Sequence, residues 1–164
     1  MTLPAMDMVH AIARRAVGSA QDAEDLVQDT YLAAFRAWTD ERRPRKVEPW
    51  LATICLNLAR SRYRARARRP IEVSIAELGS LAGDGAGPED LALAAVDRSA
   101  LDRALGSLPE EQRIAITLVD LADLSVLDAA RVMDTPKGTV LSRLHRGRRA
   151  LALLLAPEIR EEDG

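Results

Sequence analysis

Cysteine appears once, histidine twice and lysine twice in 164 residues, and the aromatic residues make up 3% of the chain. Each shortage excludes a class of protein. Cys55 is alone, so the chain can form no internal disulfide and no cysteine-built zinc site of its own. His10 and His145 lie far apart, and there is no Gly-rich phosphate loop, Cys/His ligand spacing or nucleophile motif. No catalytic residue, metal site or cofactor is therefore expected. The scarcity of aromatic residues argues against sheets, while abundant Ala, Leu and Arg favour helices. No segment approaches the roughly 20 apolar residues of a membrane span, and the start of the chain lacks a basic patch followed by an apolar run. The expectation is a soluble, cytoplasmic, all-α protein without membrane insertion.

Charge is present in quantity, and its placement is uneven. The net charge is only −2. Residues 41–69, however, hold ten Arg/Lys against two acids, and residues 134–149 hold five against one. Residues 70–112 carry nine acids against two arginines, and residues 19–40 carry five acids against Arg36. Two basic blocks separated by acidic chain fit a protein with two polyanion-binding surfaces.

Apolar spacing from Val9 to Val17 marks a first helix that stops at Gly18. Ser19 can cap a second helix, with Asp22, Glu24 and Asp25 near its positive end and Leu26, Val27, Tyr31, Ala34, Phe35 and Trp38 along one side. Thr39 to Pro49 reads as a loop. A third helix starts near Pro49, buries Leu51, Ile54, Cys55 and Leu58, and continues as an arginine-covered stretch to Pro70. Four glycines, Pro88 and several acids make residues 71–96 a flexible acidic linker. Beyond it, helices are expected over Asp97–Leu108, Pro109–Leu121, Ser125–Met133 and Lys137–Ala156. The domains are thus 1–70 and 97–156, with a tail at 157–164.

Three constellations stand out. The last two helices, joined by Asp134-Thr135-Pro136, have the spacing of a helix–turn–helix, with Leu127, Ala130, Val132 or Met133, Val140, Leu144 and Leu151 inward. Lys137, Thr139, Ser142, Arg143, His145, Arg146, Arg148 and Arg149 remain on the surface of the last helix, and that density of donors favours DNA over a solvated face. The second constellation is the run Arg60, Arg62, Arg64, Arg66, Arg68 and Arg69 with the basic loop Arg42, Arg43, Arg45 and Lys46. So many like charges point to a polyanionic partner. Trp50 and Tyr63 could stack on unpaired bases, although for Trp50 alone a core role outweighs that one. The acidic-apolar second helix is by itself a solvated face.

Asp22-Ala23-Glu24-Asp25-Leu26-Val27-Gln28-Asp29-Thr30-Tyr31, Trp50-Leu51 followed by Asn57-Leu58-Ala59, Leu108-Pro109-Glu110-Glu111-Gln112-Arg113, and Gly138 to Arg148 resemble regions 2 and 4 of the ECF (extracytoplasmic function) sigma factors. The segments from Met133 to Val140 and from Ser142 to Arg148 are most similar to the actinobacterial redox- and heat-stress group. This resemblance implies a non-enzymatic subunit that directs RNA polymerase to promoters, in a stress response. It implies that Asp25, Leu26, Gln28 and Asp29 dock on the β′ coiled coil of core polymerase, with further contacts to the β subunit. Arg45, Lys46, Trp50, Asn57, Arg60 and Arg64 would capture the minus-10 element, and Lys137, Thr139, Ser142, Arg143, His145 and Arg146 would read the minus-35 element. The linker would thread toward the RNA exit channel. A dedicated anti-sigma factor is implied as well, zinc-containing in the redox-responsive group.

The chain departs from the family pattern in three places. Loop 39–49 is rich in Arg and Pro where relatives often carry an aromatic and glycines, Val126 replaces a frequent Tyr, and Leu141 replaces a frequent Arg. From the residues alone two other functions stay open, a stand-alone helix–turn–helix regulator of duplex DNA and a polymerase-binding adaptor.

Overall fold

The computed structural model describes residues 3–39, 42–68 and 90–161. The greater part of the expected linker, with all its glycines, therefore lies outside the described residues, as do Asp40 and Glu41. Among the described residues the structure is helical, without strands. The chain divides into two compact units, Met1–Asp84 and Gly85–Gly164.

The first unit packs α1 (Leu3–Ala16), α2 (Ala20–Ala37) and α3 (Val47–Ala67) mutually against one another. Ser19 caps α2 as its sequence position suggests, its side-chain oxygen accepting from the backbone N–H of Asp22 at 3.1 Å. Val9, Ile12, Leu26, Leu51, Cys55 and Leu56 meet in a core sealed from water. Each large apolar side chain there contributes roughly 1.5–3 kcal/mol of burial free energy. Thr30 lies in the same core, satisfied by donating to the Leu26 carbonyl at 2.7 Å. Two sequence expectations shift. α3 buries Leu51, Ala52, Cys55, Leu56 and Ala59, whereas Ile54 and Leu58 are only half-buried, because the helix is wedged between two neighbours and its buried face is broad. Phe35, expected on the inner side of α2, is 81% exposed: position 35 follows Ala34, which faces the core, and falls on the outer flank.

The second unit contains α4 (Asp90–Gly106), α5 (Glu110–Ile116), a π-helical turn (Thr117–Leu121), α6 (Val126–Val132) and α7 (Lys137–Glu161). α4 starts at Asp90, seven residues before the expected Asp97. The sequence there, Leu91-Ala92-Leu93-Ala94-Ala95, is made of strong helix formers, and this local preference extends the helix into what the nearby glycines made look like linker. α5 and α7 form the main contact of the unit, and α6 packs on α7. Ser125 caps α6 through the Asp128 N–H at 3.0 Å. The end of α6 is a Schellman closure, with the Thr135 N–H reaching the Ala130 carbonyl at 3.0 Å and the Asp134 N–H the Arg131 carbonyl at 3.2 Å. Asp134 takes the left-handed conformation that this closure needs, at φ 50°. Leu127, expected inward, is half exposed, whereas Asp128, Ala129, Ala130, Val132 and Met133 are buried, the helix packing on both α7 and the π turn.

Candidate nucleic-acid interfaces

At about 100° per residue, Trp50, Asn57, Arg60, Arg64 and Arg68 fall within roughly 80° of one another on α3, away from the buried side. Asn57, Arg64 and Arg68 are exposed and Arg60 is half-buried. The side chains of these three arginines form no hydrogen bond or ion pair with another described residue, and those of Arg64 and Arg68 are displayed to solvent. Trp50 is half-buried, edge-on to Trp38 with ring centroids 5.8 Å apart. That contact fixes one side of the indole at the start of α3. Arg45 and Lys46 sit at the N-terminal approach to the same helix and are exposed.

The other arginines of α3 behave differently. Arg62 donates to the carboxylate of Asp29 and to the backbone carbonyl of Asp22, the latter at 3.4 Å. Arg66 donates to the carboxylate of Asp22 at 2.9 Å. This hydrogen bond, foremost among the causes, lowers the Asp22 pKa below the usual carboxylate value. The sequence reading found too few acids near the arginine run to neutralise it. The fold brings them from α2, more than thirty residues upstream, where spacing along the chain could not show them.

On α2, Leu26 is fully buried and belongs to the core. Asp25, Gln28 and Asp29 are exposed. Asp25 also accepts from the Gln21 amide at 3.2 Å. Leu32, 53% exposed, and Phe35 extend the stripe of Gln21, Asp25 and Gln28 toward the C-terminal end. The outer face of α2 is thus acidic at one end and apolar at the other, a pattern concealed in the sequence by the assumption that every large apolar residue faces inward.

On α7 the buried side carries Val140, Leu144 and Gly147. Gly147 allows α7 to lie close to α5: a Cβ there would stand 2.6 Å from Ile116 Cδ1. Opposite, Thr139, Ser142, His145, Arg146 and Arg149 share an arc of about 120° at the same helical pitch. His145, Arg146 and Arg149 are exposed, Thr139 and Ser142 half-buried. Lys137 is exposed at the N-terminus of the helix, toward one edge. Arg143 points to the other edge and pairs with Glu111 of α5 at 3.2 Å, its side chain only 20% exposed. Arg148 is held by Asp120 of the π turn through two hydrogen bonds, of 2.9 and 2.6 Å. An outward-facing row of small hydroxyls, an imidazole and guanidinium groups can meet both base edges and phosphates of a DNA groove.

Cys55 is buried in the first unit, and burial pushes its thiol up to about 11, out of reach of thiolate chemistry at neutral pH. Among the described residues no cluster of three His, Cys, Asp or Glu could hold a metal ion, and no helix is long and apolar enough to cross a membrane.

Comparison with known proteins gives the same two-part division. The family described as Sigma-70 region 2 matches residues 5–69, and that described as Sigma-70, region 4 matches residues 98–151. The ECF RNA polymerase sigma-E factor of Escherichia coli K12 is 37% identical over 146 residues, covering 85% of this chain and 76% of that protein. The RNA polymerase sigma-H factor of Pseudomonas aeruginosa is 35% identical over 154 residues, covering 90% and 80%. Among solved structures, the sigma factor RpoE in complex with the anti-sigma factor NepR from Bartonella quintana matches with a TM-score of 0.74 and 32% identity, over 93% of this chain and 92% of that one. CnrH in complex with the cytosolic domain of CnrY matches with a TM-score of 0.64 and 28% identity, over 92% and 81%.

Proposed function

We propose, from the premise that this chain belongs to the ECF sigma factors of the sigma-70 family and so directs promoter-specific transcription initiation by RNA polymerase, a division of labour among its residues. The outer face of α2, with Asp25, Gln28 and Asp29 displayed over the buried Leu26, docks on core polymerase. The α3 stripe of Trp50, Asn57, Arg60 and Arg64, with Arg45 and Lys46 at its approach, holds the minus-10 element as the strands part. The α7 face of Thr139, Ser142, His145 and Arg146, with Lys137 at the helix start and Arg143 at its edge, lies in the major groove of the minus-35 element. The observation that carries this reading is the pair of outward basic faces, one in each unit, each on a helix anchored to its own core. A stand-alone helix–turn–helix regulator would use the second unit only and leave the region 2 match idle.

The sigma factor RpoE was captured with the anti-sigma factor NepR, and the same kind of partner is proposed here. If it answers to redox state, in keeping with the likeness to the actinobacterial stress group, the sensing cysteines or zinc belong to the partner, because the Cys55 thiol is buried and held protonated. An oxidant response of the complex that disappears in Cys55→Ser, with the partner's cysteines intact, would contradict this.

Transcription in vitro with core polymerase on a promoter library tests the whole assignment. Initiation at promoters sharing a minus-35 and a minus-10 element is the expected result. Duplex binding by the free chain in the nanomolar range of complete regulators, with no initiation when core is added, would overturn it.

A further inference from the structure

We infer that Asp22 and Asp29 are positioning residues for minus-10 capture: by holding Arg66 and Arg62 they withdraw these two arginines from phosphate binding and hold the last two turns of α3, beyond its buried residues, in place against α2. The inference rests on the assignment of the α3 stripe to promoter DNA given above. Arg62 and Arg66 are four residues apart and therefore share one side of α3. Asp22 and Asp29 are seven apart and share one side of α2. Pairing is antiparallel, the earlier acid with the later arginine. The core fixes α3 as far as Ala59; the two pairs, at different heights, hold the turns beyond it against α2. Exposed pairs add little to stability, so their consequence lies in orientation.

What they orient is the remainder of the arginine run. Arg60, Arg64 and Arg68 alternate along the sequence with the held residues, and all three point away from α2. Bending of these last turns away from α2 would carry that stripe off the strand it is to meet. Asp22 lies outside the set Asp25, Gln28 and Asp29 given to core docking, whereas Asp29 belongs to both, about 40° round α2 from Asp25, so the acid is varied at Asp22.

The two roles separate by salt dependence, because only an arginine that displaces counterions from phosphate changes the slope of log affinity against log salt, by about 0.7 per contact on single strands. The experiment uses the holoenzyme and two DNA probes, a forked fragment carrying a single-stranded minus-10 element and a duplex carrying the minus-35 element alone, well below the unfolding temperature. Arg64→Ala should flatten the slope on the fork by about 0.7. Arg62→Ala, Arg66→Ala and Asp22→Ala should keep the wild-type slope and lower affinity for the fork by up to about fivefold at every salt concentration. None should change binding of the minus-35 duplex. The exchange Asp22→Arg with Arg66→Asp should recover the fork affinity lost in Arg66→Ala, which simple damage to the fold would not allow. Equal flattening by Arg62→Ala and Arg64→Ala, or full fork affinity in Asp22→Ala, would overturn the inference. If instead neither Arg60→Ala nor Arg64→Ala alters fork binding, the assignment of α3 to the minus-10 element fails first.

Discussion

α3 carries its arginines at alternate positions from 60 to 68, and α7 carries its own at 143, 146, 148 and 149. In each unit acids of neighbouring elements claim two of them: Asp22 and Asp29 of α2 hold Arg66 and Arg62, while Glu111 of α5 and Asp120 of the π turn hold Arg143 and Arg148. The open faces differ. That of α3 is mostly guanidinium groups, with one amide and one half-buried indole, and suits a backbone that must be gripped whatever its bases. That of α7 interleaves Thr139, Ser142 and His145 with Arg146 and Arg149, giving the mixture of short donors and acceptors that can tell one base edge from another. Charge alone would make the two helices look equivalent; the side chains between the arginines give them different partners.

The comparison can be strained at its weakest structural point, which is the close approach of α7 to α5. Gly147→Val should destabilise the second unit by about 1–3 kcal/mol, since the added carbons have no room beside the buried Ile116. Chemical denaturation followed by circular dichroism would measure it. The recognition surface itself is probed by Arg146→Ala, expected to weaken promoters that depend on the minus-35 element by roughly 1–3 kcal/mol. Affinity for core polymerase should be unchanged, and loss of core binding with promoter choice intact would refute the role.

Smaller effects sharpen the contrast. Asp134→Gly should stabilise the turn between α6 and α7 by up to about 1 kcal/mol, because glycine adopts the left-handed conformation without steric cost. In the first unit, the folded-state pKa of Asp22 is lowered, chiefly by its hydrogen bond from Arg66. The resulting stabilisation is present above the unfolded value of 3.8 and is lost as pH falls through the lower folded value. Acid titration of the folded chain by NMR should place Asp22 below its ordinary range, and Arg66→Ala should move it upward. An unmoved Asp22 would mean that the pair does not form in solution.

Much of this architecture was legible in the sequence. The two caps at Ser19 and Ser125, the turn at Asp134-Thr135-Pro136 and the anchors Val140 and Leu144 are local signals, and each fell where helix chemistry put it. What escaped reading depends on contacts between elements distant in the chain. Periodicity gives the apolar side of a helix but not how many neighbours it has, hence the broader buried face of α3 and the exposed Phe35 and Leu127. Nor does a run of arginines state which acids will face it; nothing in the spacing pairs Arg143 with Glu111. Gly147 offered a hint, since glycine within a strong helix is costly and asks for a packing reason. The π turn that sets Asp120 beside Arg148 left no signal in the sequence.

The central claim, that each basic helix has a held edge and an open edge, is tested most directly on α7, where the two kinds of arginine are adjacent. The measurement is the salt dependence of holoenzyme binding to a duplex minus-35 fragment for Arg148→Ala and Arg149→Ala. Arg149→Ala should lower the slope of log affinity against log salt by about 0.9, the value of one phosphate contact on duplex DNA, and Arg148→Ala should leave it unchanged. The same slope change in both variants, or a change in Arg148→Ala only, would contradict the account.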